Sequence, residues 1–482
     1  MNKQIEISDT LSIPRLVMGL WQIADMERNE QLLDSKQTAR YMDSYISAGF
    51  TTFDMADHYG SSEIIAGICK NNHLEKESIR LMTKWVPKPG AIDKKTVREA
   101  VERALERMQQ ESLDMMQFHA WLYADPSWLD ALFYLKELKE EGLIKNIGVT
   151  NFDAHHLRIA CASGIPIVCN QISHSLIDRR ALGNMQEVCE QYGVKLLAYG
   201  TLLGGFLSDR WLNKKEPKAD SLETWSQMKY MRFIQAAGGW QKFQKLLGIL
   251  NSIAQKHQTS IANLASRYVL ENKNVAAVII GARLGERSYI KEHQALLDIS
   301  LDSKDIESIE KEIESLDSIP GNCGDEYRTP PFLTASGDLS HHLESIPEVF
   351  KEITVSKYRS QVYSGTVWES FAGYSRAVKK GNRIAVSGTT ATHGDKIIGG
   401  GDAAAQTHFI IDKLEAAIRS LGGSLSDVIR TRIFVNDIAD WEVVAKAHGA
   451  RFKTIDPANT LVQGKLVGKG YKVEIEAEAE ID

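Results

Sequence analysis

The chain has 482 residues, 43% of them hydrophobic and 25% charged, with a formal net charge of −6. That length exceeds what one hydrophobic core organises, so two or three domains are expected, and the composition excludes a mostly disordered chain. The acidic balance leaves no broad basic field for a phosphate backbone, which argues against nucleic acid as a partner.

Residues 1–10 carry neither an apolar signal core nor an arginine-rich face, and no apolar run approaches the ~18 residues a membrane span needs. The five cysteines (Cys69, Cys161, Cys169, Cys189, Cys323) are odd in number and never spaced C-x-x-C. A reduced, cytoplasmic protein without disulfides or a zinc site is the expectation. The adjacent pairs His155-His156 and His341-His342 point in different directions on any regular element, so they argue for no metal site either.

Short apolar runs at 16–21, 51–55, 79–85, 113–119, 144–150, 166–172, 194–199 and 275–281 read as strands. Amphipathic patterns lie between them, for example at 38–48, 94–108 and 128–141. In the last, Leu129, Leu132, Phe133, Leu135 and Leu138 share a face and Gly142 marks a stop. Strand-then-helix units repeated in this way predict a closed parallel (β/α)8 barrel over residues 1–319, with an open doubly wound sheet as the rival. The strands are apolar throughout, as strands covered on both faces should be, and no G-x-G-x-x-G follows the first of them.

Residues 320–350 contain Pro320-Gly321, Gly324, Pro330-Pro331 and Ser336-Gly337-Asp338 and read as a linker. Over 351–482 the pattern changes to an alternation at 362–368, strands at 383–387 and 428–436, and helices at 403–421 and 438–452. A last strand at 471–481 places Glu474, Glu476, Glu478 and Glu480 on one face and Val473, Ile475, Ala477 and Ala479 on the other. This is a compact α+β domain.

Functional groups of a βα barrel sit at the carboxyl ends of its strands. That register brings Asp54, Tyr59, Lys84 and His119 to adjacent strand ends, roughly 5 Å apart strand to strand. Hydride reduction of a carbonyl leaves an alkoxide-like oxygen that needs a proton. A tyrosine titrating near ~10 is a weak donor at neutral pH; a lysine cation beside it favours phenolate, and an aspartate keeps the lysine charged and aimed. An imidazole can then donate to the substrate oxygen and fix its position.

These residues resemble the aldo-keto reductase family. Phe53-Asp54-Met55-Ala56-Asp57-His58-Tyr59-Gly60 is similar to its signature, and Thr83-Lys84-Trp85 and Gln117-Phe118-His119 match its other catalytic positions. Ile147–Phe152, Asn170-Gln171 and Ala198-Tyr199-Gly200 agree as well. The resemblance implies that Tyr59 is the general acid, tuned by Lys84 and Asp54, with His119 orienting the carbonyl. It further implies that Thr150, Asn151 and Gln171 hold a nicotinamide amide and that Tyr199 stacks on the ring, with Gly200 beside it. NADP is implied over NAD, with Gly281, Arg283 and Arg287 at its phosphate end. The substrate is a small carbonyl compound or the matching alcohol or sugar, whose identity rests with loops at 120–128 and 208–244, and Trp21, Trp85 and Trp121 are candidate pocket walls.

The second domain resembles the RidA (YjgF) family through Gly373–Val378, Val386-Ser387-Gly388, Gln406-Thr407 and Val473–Ala477. That resemblance makes Tyr374, Glu474 and Asn459 its site residues and a homotrimer its assembly. The family's carboxylate-holding arginine is Asn459 here, and an amide supplies neither the charge nor the paired donors of a guanidinium, so a trimerisation module is expected ahead of an imine deaminase. Two other readings are a cofactor-sensing barrel without catalysis and a C-terminal enamine, imine or C–N hydrolase as the main activity.

Overall fold

The structure, a computed structural model, describes residues 3–27, 31–328 and 346–482. The pair His341-His342 and the middle of the expected linker lie outside the described residues. A hairpin of β1 (Gln4–Ser8) and β2 (Leu11–Pro14) precedes eight parallel strands. These are β3 (Leu16–Gly19), β4 (Thr52–Asp54), β5 (Arg80–Trp85), β6 (Met115–Phe118), β7 (Ile147–Thr150), β8 (Ile167–Ser173), β9 (Lys195–Tyr199) and β10 (Val275–Gly281), and β10 closes on β3. All eight predicted strands are barrel strands. Ile7, Leu11 and Ile13 of the hairpin cluster with the inward Val17, Met82, Met115, Cys169 and Leu197, and so plug the end of the barrel where the strands begin. The opposite end is left for chemistry.

The second domain is a seven-stranded sheet ordered β11 (Ile353–Ser356), β12 (Arg359–Val362), β13 (Ala377–Lys380), β14 (Arg383–Thr390), β19 (Val473–Glu480), β17 (Val428–Val435), β18 (Ala458–Gln463). A two-stranded ribbon, β15 (Thr392–His393) and β16 (Lys396–Ile397), stands apart from it. The expected alternation at 362–368 is not one element: β12 ends at Val362 and Val367–Ala372 is a short helix. Ser364-Gly365 breaks the strand, and Glu369 accepts from the backbone N–H groups of both residues (3.0 Å each).

In β19 the burial alternates residue by residue, valine, isoleucine and alanines inward and glutamates outward, as the sequence pattern requires. The helix Ala403–Arg419 is almost wholly buried, although it carries Gln406, Thr407, His408, Asp412 and Lys413. It covers the sheet on one side and packs along the barrel helix Ala154–Ala162 on the other, so it has no wet face.

Candidate active site

Asp54, Lys84 and Tyr59 come together at the mouth of the barrel, and His119 follows the end of the next strand, β6, its backbone N–H donating to the Trp85 carbonyl at 3.2 Å. Lys84 donates to Asp54 Oδ2 at 2.6 Å, both side chains being 4% exposed. Gln117 and Gln171 each donate to the other oxygen, Asp54 Oδ1, at 3.1 and 2.7 Å. The carboxylate is therefore saturated and held in one orientation, which a buried charge requires. Burial lowers the Lys84 pKa while Asp54 opposes that shift, and the ammonium lies 4.9 Å from the centre of the Tyr59 ring. Tyr59 is held edge-on by Trp21 (4.9 Å between centroids) and His58 (4.8 Å).

His119 is fully buried, and neither ring nitrogen has a hydrogen-bond partner among the described residues. Burial first, then the positive charge of Arg328, drive its pKa well below the usual imidazole value, so the ring is neutral and carries one N–H. A neutral donor with no acceptor, fully desolvated, suits an incoming carbonyl oxygen. Trp121 packs on it edge-to-face at 4.5 Å, and a cleft bordered by Pro89, Trp121, Leu122 and Ile346 leads to it. Trp21 thus lies against Tyr59 and Trp121 against His119, and Trp85 is buried against Phe118.

A second group of expected site residues follows β7. Asn151 sits at φ 59, a left-handed conformation rarely adopted without glycine, and its Oδ1 accepts from the Tyr199 hydroxyl at 2.6 Å. Thr150 donates to the Gln171 carbonyl at 3.1 Å. Gln171 lies deeper than the resemblance implies, its NH2 shared between Asp54 and Gln117. What remains for a carboxamide is the Asn151 NH2 as donor and the Gln171 side-chain carbonyl as acceptor, neither hydrogen-bonded among the described residues. These groups fit a nicotinamide amide. Gly200, at φ 72, leaves no room for a side chain: a Cβ there would stand 2.1 Å from the Tyr230 hydroxyl.

Gly281, expected at the phosphate end, closes β10. Arg283 is engaged by Asp25 (2.8 Å), Gln22 (3.0 Å) and Glu286 (2.6 Å), whereas Arg287 is exposed. Three further residues at the barrel mouth escape sequence reasoning. Lys229 donates to the Tyr327 hydroxyl, Tyr327 stands 5.6 Å edge-on to His119 and 3.3 Å from the Tyr199 hydroxyl, and Arg328 donates to the carbonyls of Asn151 (2.6 Å) and Ala120 (3.1 Å).

In the second domain Tyr374 and Glu474 approach one another through Arg376. The guanidinium donates to the Tyr374 hydroxyl at 3.4 Å and opposes the rise in the Glu474 pKa that burial and the neighbouring Glu476 cause. Asn459 is not part of this cluster. It pairs in register with Thr431 on β17, and Thr431 faces Ala477, three residues along β19 from Glu474. Two strand spacings across and three residues along amount to roughly 14 Å. Among the described residues no cluster of histidine, cysteine and carboxylate groups is arranged to hold a metal ion, and no helix is long and apolar enough to cross a membrane.

Residues 15–314 match the Aldo/keto reductase family, and residues 366–481 match the family described as Endoribonuclease L-PSP. Protein tas of Escherichia coli K12 is 28% identical over 281 residues, which cover 50% of this chain and 79% of that protein. The NADH-specific methylglyoxal reductase of the same organism is 25% identical over 340 residues, 65% of this chain and 99% of that protein. A solved glycerol dehydrogenase from Gluconobacter oxydans shares the fold with a TM-score of 0.55 at 21% identity, covering 66% of this chain and 98% of that one. A closed eight-stranded barrel, a buried lysine–aspartate pair beside a tyrosine and a histidine, and the match over 15–314 together place this chain in the aldo/keto reductase family of NAD(P)H-dependent oxidoreductases, with a RidA/L-PSP domain following the barrel.

Proposed function

We propose that the barrel reduces an aldehyde or ketone, or oxidises the matching alcohol or sugar, with Tyr59 as general acid. The observation that carries this reading is the dry Lys84–Asp54 pair set under the Tyr59 ring beside a buried histidine with no partner for either nitrogen. A bound nicotinamide cofactor supplies the hydride. His119 donates its N–H to the carbonyl oxygen and polarises it, and Tyr59 delivers the proton to that oxygen as negative charge develops. The Lys84 ammonium stabilises the phenolate left behind, and Asp54, held by Gln117 and Gln171, keeps that ammonium in place. Asn151, Thr150 and the Gln171 carbonyl orient the carboxamide, while Tyr199 fixes which ring face is presented. Purified protein mixed with NADPH and a panel of aldehydes, ketones and sugars is expected to oxidise NADPH. Tight NADPH binding with no turnover across the panel would make the barrel a cofactor sensor instead.

NADP is proposed over NAD. Arg283 is committed to carboxylates, so Arg287 is the guanidinium available for a 2′-phosphate. Arg287→Ala is expected to lower the NADPH-over-NADH ratio of kcat/KM about tenfold, a loss of about 1.4 kcal/mol in transition-state binding. A wild-type ratio well below one that Arg287→Ala does not move would favour NAD, in line with the NADH specificity in the name of the methylglyoxal reductase relative.

For the second domain we favour self-association, as a homotrimer, over a deaminase. Its short helix exposes Val367, Trp368 and Phe371, the last 83% exposed, an apolar patch that water does not favour. Asn459 lies too far from Glu474 to act with it inside one chain. Light scattering is expected to give three chains per particle, and Phe371→Glu single chains. A monomeric wild type that releases ammonia from imines would favour the hydrolase reading.

A further inference from the structure

The two domains meet through a polar seam along the helices Ala154–Ala162 and Ala403–Arg419, dry at its centre and partly exposed at its ends. At one end Asp402, which caps the second helix, accepts from Arg158 Nε (2.8 Å) and the Tyr192 hydroxyl (2.7 Å); elsewhere His393 pairs with Asp130 (2.8 Å). At the centre His156, 4% exposed, bridges Asp153 (Nδ1, 2.7 Å) and Asp412 of the second domain (Nε2, 3.0 Å). Arg451 closes the row on Asp412 Oδ1 at 2.7 Å. Charges alternate along it as guanidinium, carboxylate, imidazolium, carboxylate, the arrangement that makes buried charges tolerable. Burial disfavours the imidazolium, but the two aspartates outweigh it and raise the His156 pKa.

The row leads to the cofactor corner. The His156 ring lies flat on Tyr123, with centroids 3.4 Å apart and planes 4° from parallel. Because the imidazole covers one face of Tyr123, the Arg328 guanidinium, 4.2 Å from the same ring, takes the other. Arg328 donates to the Asn151 carbonyl (2.6 Å) and to that of Ala120, which follows His119 (3.1 Å). Arg328 thus holds the carbonyl of Asn151, whose left-handed backbone asparagine tolerates better than other residues with side chains.

We propose that Asp412 is a positioning residue for the reductase site: by locking His156 against Tyr123 it fixes Arg328 and the Asn151 backbone, so that the second domain sets how tightly the barrel holds the nicotinamide end of its cofactor. The inference rests on the reading that Thr150 and Asn151 hold the carboxamide. In the full-length protein Asp412→Asn is expected to raise the NADPH Kd, read by fluorescence titration, about fivefold or more, with kcat at saturating cofactor within about twofold. Asp412→Glu, which keeps the charge, is expected to recover part of the affinity. Asp130→Asn, which cuts the seam away from the corner, is expected to leave Kd unchanged. If Asp412→Asn fails to fold, the double variant Asp412→Asn/Arg451→Gln, which removes the paired cation with the carboxylate, is titrated instead, and a Kd equal to wild type there overturns the proposal. A folded Asp412→Asn protein with a lower Tm and unaltered Kd also overturns it. Asn151→Ala separates the two levels: an unchanged Kd there sinks the reading of the corner, whereas a weakened Kd there beside an unchanged one in Asp412→Asn sinks only the present proposal.

Discussion

Tyr59→Phe is expected to lower kcat by about 10²–10⁴-fold, the range a positioned general acid contributes, which corresponds to about 3–5 kcal/mol of transition-state stabilisation. The substitution deletes one oxygen and leaves the ring, so the edge-on contacts with Trp21 and His58 that hold it survive. Cofactor affinity is expected to stay within about twofold, because the corner formed by Thr150, Asn151 and Tyr199 is untouched. Steady-state kinetics paired with an NADPH titration checks both halves. A Tyr59→Phe enzyme that keeps wild-type kcat would assign the proton to another group.

Lys84→Met is the second large effect, and it is expected to act twice. It removes the cation that stabilises the phenolate, lowering kcat by about 10²-fold or more. It also strands the Asp54 carboxylate, 3% exposed, with only the neutral donors of Gln117 and Gln171, and breaking a buried pair in this way costs about 3–5 kcal/mol of folding stability. The two effects part company in the double variant Lys84→Met/Asp54→Asn. Removing the orphaned charge is expected to return most of the Tm, read by calorimetry, and none of the kcat. Recovery of activity along with the Tm would mean that Lys84 serves folding alone.

The barrel was legible because β3 to β10 are covered on both faces, so each strand is a short apolar block that no amphipathic helix imitates. Strand ends were less so: the run at 16–21 gives way to a helix at Trp21, because apolar character persists where the backbone turns. In the second domain β19 announced itself by strict alternation, while β18 escaped notice because it is an edge strand with both faces largely exposed and no period to read. Asp54, Tyr59, Lys84 and His119 stood out because strand-end register and a family resemblance agreed on them. Gln171 was placed at the cofactor, and its inward turn toward Asp54 depends on a partner 117 residues away. Lys229, Tyr327, Arg328 and Asp412 carried no local signal at all. Their roles arise from contacts made only when the segment after the barrel folds over its mouth and the second domain docks against Ala154–Ala162.

The most direct test of the account is a crystal structure of the protein with NADP⁺ and a small carboxylate or carbonyl inhibitor. One inhibitor oxygen is expected within hydrogen-bond distance, roughly 2.6–3.2 Å, of both the Tyr59 hydroxyl and a ring nitrogen of His119, with the carboxamide on Asn151. An inhibitor oxygen that meets neither group, or a nicotinamide ring seated away from Tyr199, would contradict it.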